Sequence, residues 1–483
     1  MNKRIAHFCL ILAMGGGFSS LAGHPTASPA KAEPLALTAG EPQSPRAYSL
    51  QECLEVALQN NRWRPASQFA VEVAEAQHKQ ALSSYWPSLS LRSSFMKMDE
   101  DSNFLFPAQS LTLNAPFLPM PLPITIPEMD VRLMDDTTLF NSLSLSLPIY
   151  TGGLREAIIK QAKNGIEAAR QAARRTDLKV IFDVKRLYYA SVLSQNLAQV
   201  GRDALARLDA TLSLTENLYQ KGSGRVKKTD YLRNKTIVEA ARSLLAVLES
   251  NVQLAKAALV NSMGLPWETA IELSEKEIPY EAYPLDLKDL VNSSYSFNPD
   301  WAALRAGLQA AEARVSEAKS GYLPKLGLMG SLNIISNTYD KGMMTPTNKT
   351  NWMAGIGLEI PIFNGFLTTH EVQEARARLR KMEQEQILLK EGLALQVQDV
   401  FLQVIRAQKQ HDASKSAMEA AGQNRDLNVR AYQDELVETQ EVIEAQLMES
   451  FMQAQFQKVL FDHLESRFRL DLIVGEEVQK LVK

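Results

Sequence analysis

Glu441 and Glu444 stand three residues apart in a stretch without proline, so on a helix their carboxylates share one face. Read from spacing alone, such a pair is ordinary solvated surface charge. Gly222-Ser223-Gly224 followed by Lys227-Lys228-Thr229 puts glycine beside lysine, as phosphate-binding loops do. It lacks the G-x-x-x-x-G-K-[ST] spacing and follows a helical pattern rather than a strand, which excludes nucleotide binding there. Thr229-Asp230 reads as the start of a helix, both residue types being good N-caps. His78, His370, His411 and His463 are scattered without ligand spacing, and no H-E-x-x-H, G-x-S-x-G or paired-cysteine motif occurs. Met343-Met344 and Met353 read as packing and surface rather than a soft-metal site. No enzyme activity, metal or cofactor is expected.

What these residues do must come from the elements that carry them. The chain has 483 residues, 22% charged and 45% hydrophobic, which suits neither a disordered chain nor a run of membrane helices. Lys3 and Arg4, the apolar stretch from Ile5 to Met14, and Ala30-Lys31-Ala32 read as a signal peptide over residues 1–32, with an earlier cut near Ala22-Gly23 as the other reading. His24 stands where a lipoprotein would need cysteine, and Cys53 is the one cysteine after the signal, so no intrachain disulfide is expected. Loss of Lys3, Arg4 and Lys31 moves the formal charge from −3 to −6, which argues against nucleic acid as a partner. Residues 33–47, rich in Pro, Ala and Ser, read as a flexible leader.

The rest of the chain is doubled. Tyr85-Trp86-Pro87-Ser88-Leu89 returns as Tyr322-Leu323-Pro324-Lys325-Leu326 at an offset of 237, and Leu147-Pro148-Ile149-Tyr150-Thr151-Gly152 returns as Ile360-Pro361-Ile362-Phe363-Asn364-Gly365 at 213. Tyr219-Gln220 answers Tyr432-Gln433, again at 213. Between the proline motifs the hydrophobic period is two, as in Leu139, Asn141, Leu143, Leu145, Leu147 and in Trp352, Ala354, Ile356, Leu358, Ile360. Outside them it is helical: Leu393, Val397, Val400, Val404 and Ala407 follow steps of 4, 3, 4, 3, the seam of packed helices. No proline interrupts Leu154 to Tyr219, and a helix of that length reaches roughly 100 Å. Each long helix is expected to turn near Lys221–Arg225 or Asp434–Glu438 and come back. The offset shrinks by 24 because the first copy holds an insert from Phe104 to Glu128 with Pro107, Pro116, Pro119, Pro121, Pro123 and Pro127. It reads as an outer loop, either plain and stiff or folded as a lid over a mouth.

Two hairpins give four strands, and a lipid-facing sheet of four leaves edges that a bilayer does not tolerate. Three copies would close it as an even-numbered barrel. In their order and doubling these motifs resemble the TolC-like outer-membrane efflux proteins. The resemblance runs from about Ser49 to Gly475 and includes Tyr432-Gln433-Asp434-Glu435 through Glu441-Val442-Ile443-Glu444-Ala445-Gln446. It implies a mainly α fold with transmembrane β, built from a duplicated helix–strand–strand–helix unit. The expected assembly is a homotrimer with a 12-stranded β-barrel in outer-membrane lipid, continuous with a long α-helical barrel in the periplasm. The implied function is a passive exit duct for tripartite efflux or type I secretion, joined to an inner-membrane pump through a periplasmic adaptor protein.

Carried over residue by residue, Pro87, Pro148, Pro324 and Pro361 match helix–strand junctions. The first repeat then spans 48–263, with hairpin strands at about 88–106 and 137–150. The second spans 291–470, with strands at about 325–337 and 351–363. Residues 264–290 form an equatorial segment and 471–483 a C-terminal tail. Glu441 and Glu444 match acidic positions around an inner constriction, where six carboxylates in a trimer would favour cations. Thr229, Asp230 and Tyr432 match a lock at the helical tip, held by a Tyr–Asp hydrogen bond. The chain departs from the pattern at Arg62, Glu435 and Val437, where proline, glycine and a basic residue are usual. A periplasmic coiled-coil adaptor is the other reading, since adaptors also carry export signals and long helical hairpins.

Overall fold

The doubling seen in sequence reappears as matched element lengths. The computed structural model describes residues 46–113, 120, 122–222, 226–282, 286–337, 349–434 and 436–477; the signal peptide and the leader through residue 45 lie outside them. The first copy runs β1 (Arg46–Tyr48), α1 (Leu50–Asn60), α2 (Trp63–Ser83), β2 (Ser88–Lys97), β3 (Ser102–Phe106), β4 (Gln109–Leu113), β5 (Leu122–Ile126), β6 (Met129–Met134), β7 (Thr137–Tyr150), α3 (Leu154–Gln220) and α4 (Lys228–Ser262). After β8 (Ile271–Leu273) the second runs α5 (Leu287–Phe297), α6 (Pro299–Lys319), β9 (Lys325–Asn337), β10 (Thr350–Glu359), α7 (Leu367–Gln433) and α8 (Thr439–Val474). The helices measure 11, 21, 67 and 35 residues in one copy and 11, 21, 67 and 36 in the other.

Local chemistry explains where these helices begin. Ser49 and Glu52 form a reciprocal capping box on α1, and Asp286 caps α5 by accepting from Asp289 N. Both long helices start from two consecutive left-handed residues, Gly152-Gly153 and Gly365-Phe366. At this point the first copy uses a second glycine and the second copy forces Phe366 to φ 65°.

Strands β10-β9-β7-β2 form one antiparallel sheet whose outer edges, β2 and β10, have no partner among the described residues. Its register puts Leu91, Leu143, Leu332 and Trp352 in one row across four strands. Leu89, Leu145, Leu328, Ile356 and Leu358 lie on the same face. The opposite face carries Arg92, Ser142, Asn333 and Asn351 in a row, with Ser142 Oγ donating to Asn333 Oδ1 at 2.7 Å and Asn333 Nδ2 to Asn351 Oδ1 at 3.0 Å. Leu91 is 71% exposed and Trp352 77%, so this apolar face needs something other than water.

The insert of the first copy is not plain loop. β3 pairs with β6 and β4 with β5 as antiparallel ladders, extending the β2–β7 hairpin away from the helices. Its prolines conceal this in sequence: Pro107 and Pro127 fall in short unpaired joints, while Pro123 takes a ladder position opposite Thr112. The tip of the insert, with Pro116, Pro119 and Pro121, lies outside the described residues. The other boundary differences are small. β1 begins inside the expected leader because its backbone pairs in parallel with β8, and α8 runs on to Val474.

The helical seams face inward: Leu393, Val397, Val400, Val404 and Ala407 are all buried. The largest apolar cluster joins α1, α3, α4 and α8 to the 264–290 segment through Cys53, Val184, Tyr188, Leu259, Met263 and Ile271. Tyr188 Oη donates to Tyr48 O at 3.1 Å and accepts from Glu275 N at 3.3 Å, tying β1 and the segment after β8 to α3. Burial here pushes the Cys53 thiol up to about 12.

Each copy closes on itself with the same clip. Asn61 Oδ1 accepts from Trp63 N while its amide donates to Ser262 O at 2.8 Å; Asn298 Oδ1 accepts from Trp301 N while its amide donates to Ile473 O at 2.7 Å. Gly264 and Gly475, both at positive φ, end the return helices against these asparagines.

His463 on α8 is fully buried beside Tyr280, whose ring stacks on His411 at 3.6 Å. Desolvation first, then the nearby Arg467 and His411, lower its pKa from 6.5 to about 4. The unfolded chain therefore takes up a proton below pH 6.5 that the folded chain refuses until about pH 4. Stability is fully held above 6.5 and lost as pH falls through that window, by about 3 kcal/mol per chain. Denaturation midpoints measured from pH 7 to pH 4 should fall accordingly, and His463→Phe should flatten the slope. An unchanged slope in that variant would assign the acid sensitivity elsewhere.

Candidate functional site

The hairpins α3–α4 and α7–α8 turn back at the ends of their 67-residue helices, far from the sheet. Glu441 and Glu444 both lie in the first turns of α8 and are exposed. Val442, Ile443, Ala445 and Gln446 between and after them are buried, Ile443 packing on Leu208 of α3 and Val238 of α4. The two carboxylates thus share the face of α8 that points away from its own protomer. Gln440 Nε2 donates to Glu444 Oε1 at 2.7 Å, and Arg233 Nη1 donates to Gln440 Oε1 at 2.6 Å. The Glu441 carboxylate has no such partner among the described residues.

The expected lock residues do not meet within one chain. Asp230 accepts from Lys227 N at 3.0 Å and lies within 3.4 Å of Thr229 Oγ1, so it serves the start of α4. Tyr432 Oη instead reaches Thr439 Oγ1 at 2.8 Å and Thr215 Oγ1 at 3.4 Å. Thr215 also accepts from Asn234 Nδ2 at 3.3 Å, and one turn along Gln446 Nε2 donates to Thr211 Oγ1 at 3.0 Å. A buried polar column therefore links all four tip helices.

That column ends at a group the sequence reasoning missed. Glu449 of α8 is 4% exposed, 3.5 Å from Arg207 of α3 and 3.3 Å from Arg425 of α7. Gln453 Nε2 also donates to it at 3.2 Å. The guanidinium Nε atoms of both arginines are buried without partners. Arg425 also meets the exposed Asp426 at 3.0 Å and Arg207 Nη2 donates to Ser450 Oγ at 3.3 Å, so Glu449 is the one buried carboxylate of the cluster. Such a cluster, with donors left over, holds helices in register more than it stabilises them. The available signal was phase: Val442, Gln446 and Glu449 follow the 4, 3 steps of a buried seam, where an acidic residue is out of place.

At the other end, Pro87 lies between α2 and β2, Pro324 just before β9, and Pro361 just after β10. Pro148 sits within the last turns of β7, opposite Gly327 and beside a register shift. Arg155, at the start of α3, donates to the carbonyls of Ser84, Pro148 and Ile149 and covers the Tyr85 ring at 3.9 Å. One guanidinium thus fastens helix to strand at the first junction.

A family model described as outer membrane efflux protein matches residues 53–265 and 290–476. The chain belongs to that family. Membership of the outer membrane efflux family places it in the outer membrane, with the long helices extending into the periplasm. Among relatives, Protein CyaE of Bordetella pertussis is 26% identical over 278 residues, 56% of this chain and 57% of that protein. The pyoverdine export outer membrane protein OpmQ of Pseudomonas putida is 28% identical over 52% of this chain and 51% of its own length. The chain spans about half the length of the curated relatives it matches. In fold the similarity is wider. A Pseudomonas aeruginosa membrane protein superposes with TM-score 0.71 at 18% identity, covering 88% of this chain and 93% of that one. The Vibrio cholerae outer membrane protein VceC gives 0.69 at 17% identity, covering 88% and 96%.

Proposed function

We propose that the chain is one protomer of a homotrimeric outer-membrane channel. It acts as a passive exit duct that receives cargo from an inner-membrane pump through a periplasmic adaptor, in efflux or type I secretion. The observation that carries this reading is the sheet: four strands with one apolar and one polar face, and two open edges. In lipid those edges require partners, and pairing β2 of one copy with β10 of the next closes twelve strands around a polar lumen. The adaptor reading expects one hairpin flanked by compact β domains, whereas this chain ends both of its hairpin pairs in strands of a single sheet.

Glu441 and Glu444 are assigned to the constriction, Thr229, Asp230 and Tyr432 to the tip lock, and the four prolines to the junctions. In the lock Tyr432 acts through Thr215 and Thr439, and Thr229-Asp230 through the start of α4, rather than by a Tyr–Asp hydrogen bond. Exposed carboxylates on the outward face of α8 support the first assignment, since three copies would bring six of them around one axis. In planar bilayers the purified protein should conduct weakly and prefer cations. Glu441→Ala with Glu444→Ala should lower the cation-to-anion permeability ratio on the order of tenfold. Unchanged selectivity would remove both residues from the constriction, and recovery of the wild-type protein as a soluble periplasmic monomer would remove the channel.

A further inference from the structure

The ribbon grown from the first hairpin has no counterpart in the second copy among the described residues, and it is built to be covered. Its inner segment pairs Phe104 with Val131 and Phe106 with Met129, which places these four on one face. The two phenylalanine rings meet edge to face at 4.7 Å. Asn103, Leu105, Asp130 and Arg132 lie on the other face, which is polar apart from that one leucine. Beyond the proline joint the outer segment pairs Leu111 with Ile124 and Gln109 with Ile126, backed by Ser110, Thr112 and Thr125. Phe104, Phe106, Leu111, Leu113, Ile124, Ile126 and Met129 are all 41–56% exposed. A lone two-stranded ribbon is marginal in water, and one with an apolar face on each segment needs a partner.

Two observations choose the partner. The ribbon continues β2, the open edge that meets the next copy when the barrel closes, so it leaves the sheet at the contact between protomers. Between residues 97 and 137 stand Asp99, Glu100, Asp101, Glu128, Asp130, Asp135 and Asp136 against only Lys97 and Arg132. Both bases are already engaged, Lys97 with Asp136 and Arg132 with Asp101 at 2.7 Å. An acidic segment of this kind is repelled by the phosphate-bearing surface of the outer leaflet. Lengths agree as well. Twelve residues of strand reach roughly 40 Å, whereas a twelve-stranded barrel has a radius of about 13 Å. Ribbons that lean inward from three copies therefore meet.

We propose that the apolar faces of this ribbon pack against the same ribbons of the other two copies, forming a cap that narrows the outer mouth of the channel. The proposal rests on the trimeric reading above, and its test separates the two. Leu111→Cys places a thiol on the apolar face and Ser110→Cys places one on the polar face. Cys53 is fully buried and remains silent. Mild oxidation of whole cells should convert most of the Leu111→Cys protein to a covalent dimer and leave Ser110→Cys monomeric on denaturing gels. Excising residues 102–134 should leave the trimer intact and let a bulky impermeant thiol reagent added outside the cell reach Asn333→Cys on the polar face of the sheet, which the intact cap shields. An intact trimer that does not cross-link through Leu111→Cys, or that cross-links equally through both positions, overturns the cap and leaves the trimer standing. Labelling of Leu111→Cys by a lipid-dissolved maleimide, without cross-links, overturns it in favour of lipid. Absence of a native trimer overturns the channel reading and the cap together.

Discussion

Gly475→Ala should destabilise each chain by about 3 kcal/mol, and Gly264→Ala by a similar amount. Gly475 ends α8 at φ 88°, a left-handed conformation that costs a residue with a Cβ about 1–2 kcal/mol. Space is the larger difficulty. A Cβ there would lie 2.4 Å from Phe297 O and 2.9 Å from Asn298 Cα, and at Gly264 it would lie 2.5 Å from Asn60 O. All of these are backbone atoms, so no rotamer change relieves the contact. Displacing Gly475 also loosens the Asn298–Ile473 clip and the bond from Arg174 Nη2 to Gly475 O at 3.0 Å. Gly365→Ala is the control: its φ is 67° but nothing lies within 4 Å of the added methyl. Denaturant titration of the detergent-solubilised protein should rank Gly475→Ala and Gly264→Ala well below Gly365→Ala. Equal midpoints for the three would mean that the backbone contacts relax freely and that only φ matters.

Glu449→Ala should cost a similar amount, about 3 kcal/mol per chain, because it leaves the partly buried Arg207 without a carboxylate and Arg425 with only the exposed Asp426. The damage falls on the tip, since Glu449 stands ten residues into α8, about 15 Å from its first turn. Loss of the anchor frees the α7–α8 hairpin from α3, and the resting conductance of the channel should rise. Replacing all three with apolar residues of similar volume should recover most of the stability, since burying three polar groups is itself costly. If that triple variant regains stability yet still conducts more than wild type, the charges set the position of the tip. A return of both properties to wild type would make the cluster a packing element and nothing more.

Much of the fold was legible because its signals are local. Steps of 4 and 3 from Leu393 to Ala407 identify a buried helical face, and those five residues are buried. Alternation from Leu139 to Leu147 identifies a strand with two unlike faces, and β7 has them. The ribbon was hidden because proline ordinarily signals loop, yet Pro107 and Pro127 sit at matched joints on its two strands. The site was less legible. An acidic residue among many, Glu449 reads as solvated surface unless its seam phase is noticed. Tyr432 invites Asp230 on the neighbouring hairpin, but it reaches Thr439 of its own hairpin and Thr215 of α3 instead.

The sequence by itself determined the doubling, the element types outside the insert, and the apolar face of the long helices and of the four-stranded sheet, because period and capping act over a few residues. Tertiary structure alone decided which distant atoms meet. Asn61 reaches Ser262 across 201 residues, Asn298 reaches Ile473 across 175, and Glu449 finds Arg207 across two hairpins. Those contacts depend on how roughly 100 Å of paired helix bends and aligns. That alignment is set by the packing of whole faces, and no short stretch of sequence encodes it.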